Sequence, residues 1–250
     1  MEISAAMLVV LAILVLLLAM PSGALGLGVA VVAAPILSFF WFHNTAVVIP
    51  ASLVLNAVAC AVVSGIFARR GLVAWKHALA LGAIAAVLAP FGSMAARAVP
   101  AYLTWYVYLG AILFLVGHLL RPPRGHALPH VNWTILYLGS IPAGLVGGMT
   151  GIGPAFALMP GLVVAGMDVR HAAGTAALAS ILPSLTALVP YWPEAVGLPL
   201  KPVLILFIAT AAGSAVGATY ASRSSVPLGW QKVFAGFVTA LAVAHFCTLP

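Results

Sequence analysis

Gly151 and Gly153 stand one residue apart, directly before Pro154, in the stretch GGMTGIGPAFALMPG that runs from Gly147 to Gly161. Gly and Pro both weaken helices, and Pro also removes a backbone donor. A helix that restarts inside an apolar run presents free N–H groups and the positive end of its dipole, and both attract an anion. Pro154 suits the first position of such a helix, where a missing N–H costs nothing. Gly153 can take a non-helical cap conformation, and Thr150 or a nearby backbone amide can face a ligand. Gly26 and Gly28 would do the same earlier in the chain. The competing reading is that these glycines serve only close helix packing.

Polar residues inside apolar runs are the second source of chemistry. Ser52 and Asn56 are four apart and share a helix face. The Asn56 amide can donate to an oxyanion or to a neighbouring helix. Thr175 and Ser180 share a face only loosely, and Ser180 and Ser184 share one better. The three acids, Glu2, Asp168 and Glu194, fall at a terminus or at run ends. No carboxylate proton relay is visible, and no H-E-x-x-H or Ser/His/Asp set points to an enzyme. Arg97 follows a span and reads as a positive anchor, with attraction of anions as the lesser alternative. Asp168, Arg170 and His171 read as a solvated loop, as does His43. His118, His126 and His130 read as interfacial residues rather than a metal site. Cys60 and Cys247 form no metal or disulfide pattern. The expectation is no catalytic residue, no metal and no cofactor.

These residues sit in a chain of 250 residues that is 64% hydrophobic and 5% charged, with mean hydropathy +1.22. A soluble domain carries about 25% charged residues, so the solvent of this chain is lipid. The net charge of +7 is spread over short gaps between apolar runs and excludes a nucleic-acid face. The first residues lack a positive segment, so the first apolar run is expected to be retained as a helix. Candidate spans are Ile3–Met20 continuing through Ala24–Phe42, then Thr45–Phe67, Trp75–Met94 and Tyr102–Leu120. After a polar connector come Trp133–Val146 continuing through Pro154–Met167, then His171–Tyr191, Pro202–Ala221 and Leu228–Phe246. The six tryptophans fall near run ends, as an aromatic belt would.

The two halves match. GLGVAVVAAP from Gly26 and GIGPAFALMP from Gly151 both read G-x-G-x6-P, 125 residues apart. The expected architecture is all-α and integral to the membrane. It has two tandem repeats of four spans (eight transmembrane helices), 1–120 and 133–250, around a connector at 121–132. The first helix of each repeat is broken and glycine-rich. The alternative is five plus five spans with inverted repeats. In the first scheme Arg69, Arg70, Lys76, Arg121, Arg124 and Lys201 oppose Arg97, Arg170 and Arg223. In the second, Arg97 and Lys201 alone oppose the other seven, which fits the positive-inside rule better.

The stretch from Gly147 to Ser180 resembles the second signature of the TauE/SafE family of sulfite and organosulfonate exporters. There a G-G-x-x-G-x-G-G/P stretch leads to a proline, a loop and A-x-G-T-S. Here Ala172-Ala173-Gly174-Thr175-Ala176 departs only in its last residue. The first half resembles the first signature, and Gly71–Leu81 resembles the stretch after the second helix. The resemblance covers most of the chain. It points to Gly26, Gly28 and Pro35, and to Gly148, Gly151, Gly153, Pro160, Gly174 and Thr175. The first half lacks the G-T pair and reads Pro50-Ala51-Ser52 instead, so Ser52 or Asn56 is expected to supply that polar contact.

What the resemblance implies is a secondary transporter that exports sulfite or an organosulfonate across the plasma (inner) membrane by alternating access. Alternatives are an anion channel, or an uptake permease for another small solute or a metal ion. The expected substrate-binding residues are Gly26, Gly28, Ser52, Asn56, Thr150, Gly151, Gly153, Thr175 and Ser180. The expected helix breaks are Pro35, Gly148, Pro154, Pro160 and Gly174. The partners are a small sulfur oxyanion or sulfonate and the bilayer, with a homo-oligomer left open.

Overall fold

The computed structural model describes residues 5–40, 45–120, 132–224 and 228–247. Glu2, Trp41, His43, His126 and His130 lie outside the described residues, as does the connector up to Val131. Lipid offers no partner to backbone N–H and C=O groups, so each apolar run closes its hydrogen bonds within itself as a helix. The elements are α1 (Ala5–Ala24), α2 (Ala30–Phe40), α3 (Thr45–Ala68), α4 (Trp75–Ala98) and α5 (Ala101–Leu119), then α6 (Trp133–Thr150), α7 (Ala155–Val164) and α8 (Val169–Thr186). A 3-10 turn (Val189–Tyr191) leads to α9 (Trp192–Val196), α10 (Leu200–Arg223) and α11 (Leu228–Cys247). No strand occurs among the described residues.

Five of these helices are long and apolar enough to cross a membrane, and a sixth crossing arises if Val169–Thr186 and Val189–Val196, bent by 42°, act together. That count does not reach the eight full spans expected from sequence. The shortfall lies partly in α2 and α7. At 11 and 10 residues they are about 15–17 Å long, half a bilayer core.

The side chains are distributed inside out. Val9, Ile13, Leu79, Val87, Phe91, Leu113 and Leu204 face outward, while Ser52, Asn56, Ser93, Thr175, Ser180 and Ser184 are buried. That is the arrangement of a helix bundle solvated by lipid.

Helices of one half pack on helices of the other, and the pairing is reciprocal. α1 lies on α10, and α6 on α4. Small residues let the backbones meet. A methyl group on Gly144 would sit 2.6 Å from Ala85 O, and one on Gly23 would sit 2.7 Å from Ser214 Cα. Gly92 abuts Leu145 and Gly217 abuts Met20, the same contact shifted by 125 residues.

The contacts also give direction. Gly148 lies against Ala89 and Gly144 against Ala85, so α6 runs parallel to α4. Gly82 lies against Ala179, and Ser93 Oγ donates to Ala187 O over 2.8 Å, so α8 runs parallel to α4 as well. Gly174 lies against Phe67 and Leu72, whereas Ser184 meets Asn56, so α8 runs antiparallel to α3, its counterpart.

Four of the five expected helix breaks are corrected. Pro35 and Pro160 lie inside α2 and α7, Gly148 inside α6 and Gly174 inside α8. The two glycines allow close packing, against Ala89 and against Phe67 and Leu72. Pro35 cannot donate to Val31 O, four residues back; the Tyr108 hydroxyl donates to that carbonyl instead, over 2.6 Å. Pro90 in α4 likewise frees Ala86 O, and Thr186 Oγ1 donates to it over 2.8 Å. Donors borrowed from neighbouring helices keep these two proline-bearing helices continuous.

Candidate functional site

The two breaks that do occur are built alike. After α1 the chain turns at Gly26 (φ 67°) and Gly28 (φ 73°), and α2 starts at Ala30. After α6 it turns at Gly151 (φ 77°) and Gly153 (φ 71°), and Pro154 caps α7. Left-handed backbone costs an L-residue about 1–2 kcal/mol, which is why glycine holds all four positions. Gly26 packs on the backbone of Ala173 in α8, and Gly151 on Ile49 and Ser52 in α3, so each break rests on the opposite half. The exposed carbonyls find donors. Ser22 Oγ donates to Gly28 O. Ser52 Oγ donates to Ile49 O (2.8 Å) in its own helix and reaches Gly151 O at 3.2 Å. The amides of Gly151 and Gly153 both donate to Gly147 O, at 3.0 and 3.2 Å.

Asn56, midway along α3 and fully buried, lies between the breaks. A Cβ on Gly28 would run into its Oδ1, and a Cβ on Gly153 into its Nδ2. Oδ1 accepts from the Ala30 amide, the first of α2, at 3.4 Å. Nδ2 donates to Ser184 Oγ in α8 at 2.9 Å. Cys60 Sγ flanks Gly28, and Ser184 Oγ flanks Gly153, each 3.1 Å from where a Cβ would be. The starts of α2 and α7 therefore converge on one amide side chain. They differ in one respect. Ala30 has its acceptor, whereas its counterpart Ala155 meets none among the described residues; the next amide of each half-helix, that of Val31 and that of Phe156, meets none on either side, and all these residues are buried.

The remaining expected site residues divide. Gly26, Gly28, Gly151, Gly153, Ser52 and Asn56 come together. Thr150 ends α6, but its hydroxyl donates to Val146 O (2.7 Å) in its own helix. Ser180 donates to Ala176 O (2.9 Å), again within its helix. Thr175 stands apart: its Oγ1 accepts from the Ala74 amide at the start of α4 (3.1 Å). Ser184 and Cys60 were not among the expected site residues. Ser184 was legible only as the residue four beyond Ser180, and Cys60 only as the residue four beyond Asn56.

The groups nearest the four glycines of the breaks are neutral side chains and backbone. The nearest ion pairs by sequence lie at helix ends. Arg97 Nη1 donates to Glu194 Oε1 and to Pro190 O, each at 2.8 Å, and its guanidinium lies 5.3 Å from the Tyr191 ring centroid. Arg97 is thus tied to an acid rather than presented to an anion. Asp168 caps α8 through the Arg170 amide (3.1 Å) and pairs loosely with Arg170 and His171; Asp168 is exposed and the other two are half-buried.

No curated protein and no solved structure matches the chain. A family model does: Sulfite exporter TauE/SafE matches residues 11–245, both breaks included. With its lipid-facing helices, the chain is a multi-pass membrane protein, and it belongs to the TauE/SafE sulfite exporter family of membrane transporters.

Proposed function

We propose that this protein is a secondary transporter that exports sulfite or an organosulfonate across the plasma membrane, with the substrate held where the two breaks meet at Asn56. The observation that carries the reading is the convergence of two half-helix starts, one from each repeat, on a buried, uncharged spot. Such termini offer an anion N–H donors and a partial positive charge without a buried cation. The missing Cβ atoms at Gly28, Gly151 and Gly153 let the polar side chains of Asn56 and Ser52 approach the backbone of both breaks. The positive-inside arrangement would collect anions on the cytoplasmic side, and the membrane potential favours their exit by about 2.3 kcal/mol per charge per 100 mV.

The architecture proposed with it is five plus five spans with inverted repeats, α2 and α7 being the short members. The opposed directions of α3 and α8 support it over eight tandem spans. Residues 1–120 and 133–250 then form one transport unit. Inverted repeats that rock about a site at their interface give alternating access.

Proteoliposomes loaded with labelled sulfite test the reading. Efflux that saturates, and that is accelerated by unlabelled sulfite on the opposite side, is expected of a carrier. Flux that never saturates and carries unitary currents would mean a channel, and no anion flux at all would sink the proposal.

A further inference from the structure

We infer that the two bodies that move against each other during transport are not the two sequence repeats. One is α4 with α6–α9, and the other is α1–α3 with α10. They meet along α3 and α8, and the chain passes between them at Gly71 and Gly197. The inference deepens the alternating-access reading and rests on it.

The packing carries the division. α4 lies along α6 and α8, and α10 along α1 and α3. Among the described residues α4 has no extended contact with α1, α2 or α3 of its own repeat, and α10 has none with α6, α7 or α8. Glycines lock α4 to α6 and α10 to α1 at backbone distance, so these pairs do not slide. Polar ties also fasten α4 along its length. Near its start the His77 ring stacks on Trp133 at 3.4 Å, and its Nδ1 shares a hydrogen bond of 2.7 Å with the Tyr137 hydroxyl of α6. Towards its end Ser93 Oγ donates to Ala187 O (2.8 Å) and lies 3.1 Å from Gly148 O, and Arg97 holds Glu194 of α9. α5 and α11 pack on each other beside these bodies.

The α3–α8 seam is built differently. Ile49, Leu53, Asn56, Cys60, Val63 and Phe67 recur along α3 at helical spacing. Ile49 and Leu53 join Ala187 and Tyr191 in one apolar cluster, and Val63 and Phe67 join Ala173 and Ala177 in another. Between the clusters lie the polar ties from Asn56 to Ser184 and from Ser52 to Gly151 O. The candidate site thus sits midway along the seam with an apolar seal at either end. Tilting one body on the other opens one seal and keeps the second shut. α2 packs on α3 and α7 on α8, so each half-helix stays with its own body and the tilt takes the two breaks apart.

The two crossings suit hinges. Gly71 has left-handed backbone (φ 69°), and a Cβ there would meet nothing within 4 Å. Its glycine serves the turn rather than packing. A Cβ on Gly197 would come no closer than 3.6 Å to the preceding turn. The two glycines stand 126 residues apart, and a leucine follows each. Loop positions of this kind absorb the backbone rotation of a rigid-body movement.

The test uses the full chain in proteoliposomes, with Cys60 and Cys247 replaced by alanine and disulfide formation confirmed by mass. Ser93→Cys with Ala187→Cys joins two repeats within one body. Leu53→Cys with Ala187→Cys joins α3 to the same residue and crosses the seam. Oxidation should leave sulfite efflux unchanged in the first pair and stop it in the second, with recovery on reduction. Loss of efflux in the first pair would overturn the division, because repeats rocking as units put α4 and α8 in opposite bodies. Efflux that persists through the second link would overturn the seam. No efflux from the wild-type chain would instead sink the transport reading beneath the inference. Spin labels at the exposed positions Val87, Ile13 and Leu138, introduced as cysteines, decide the point where a disulfide does not form. Sulfite should shift the distance from Val87 to Ile13, within one repeat, and leave that from Val87 to Leu138, between repeats, fixed. The reverse pattern, or no shift in either pair, would overturn the inference.

Discussion

Asn56 and Ser184 are 128 residues apart in the chain, one on α3 and one on α8, and their side chains meet at 2.9 Å. This hydrogen bond joins the two halves where the two half-helices start. Ser184 also donates to Ser180 O in its own helix, at 2.8 Å, so its hydroxyl serves as acceptor for one half and donor for the other. Ser184→Ala leaves Asn56 Nδ2 without its partner in a buried place. The expected cost is about 1–2 kcal/mol, read as a lower unfolding temperature in detergent, with Ser184→Thr close to wild type. A Ser184→Ala protein as stable as the parent would mean that Nδ2 is satisfied in another way.

The borrowed donors predict a double-mutant cycle. Tyr108→Phe strips the donor from Val31 O and should destabilise by about 1–2 kcal/mol. Pro35→Ala restores an N–H able to reach the same carbonyl. In the double variant the loss should therefore shrink by a measurable coupling of at least about 0.5 kcal/mol. Strict additivity of the two changes would show that Tyr108 matters for packing alone.

Glycines separate by position. Gly28→Ala places a methyl group on left-handed backbone and against Asn56, with an expected loss of about 2–4 kcal/mol and of transport. Gly65→Ala in α3 meets nothing within 4 Å and should leave stability and flux unchanged or slightly improved. Equal tolerance at both positions, measured by thermal unfolding and sulfite efflux, would contradict the account of the breaks.

Topology has a direct readout. With Cys60 and Cys247 replaced by alanine, Arg70→Cys and Ser224→Cys should label with an impermeant maleimide from the same side of the membrane. An eight-span tandem arrangement puts them on opposite sides, so opposite-side labelling would return the architecture to that scheme.

The sequence was most legible where backbone chemistry leaves a residue no choice. Gly26, Gly28, Gly151 and Gly153 stood out because only glycine adopts their φ without strain, and Pro154 because it opens a helix. Proline was misleading elsewhere. Whether Pro35 ends α2 depends on Tyr108, 73 positions further along the chain, and no local pattern reports that. Hydroxyls were ambiguous for a related reason. Thr150 and Ser180 spend their hydrogens on their own helices, while Ser52 reaches across to the other half. Helix direction was also hidden, because an apolar run reads the same whichever way it crosses.

The reciprocal packing of α1 on α10 and of α6 on α4 bears on biosynthesis. α1 is made well before α10, the helix it packs against. Until α10 arrives, Met20 and Gly23 face lipid, and until α8 arrives, Ala86 O and the Ala74 amide lack Thr186 and Thr175. The nascent first half thus waits in the bilayer as an open scaffold. Final assembly comes after insertion, and two separately translated halves carry the surfaces needed to find each other.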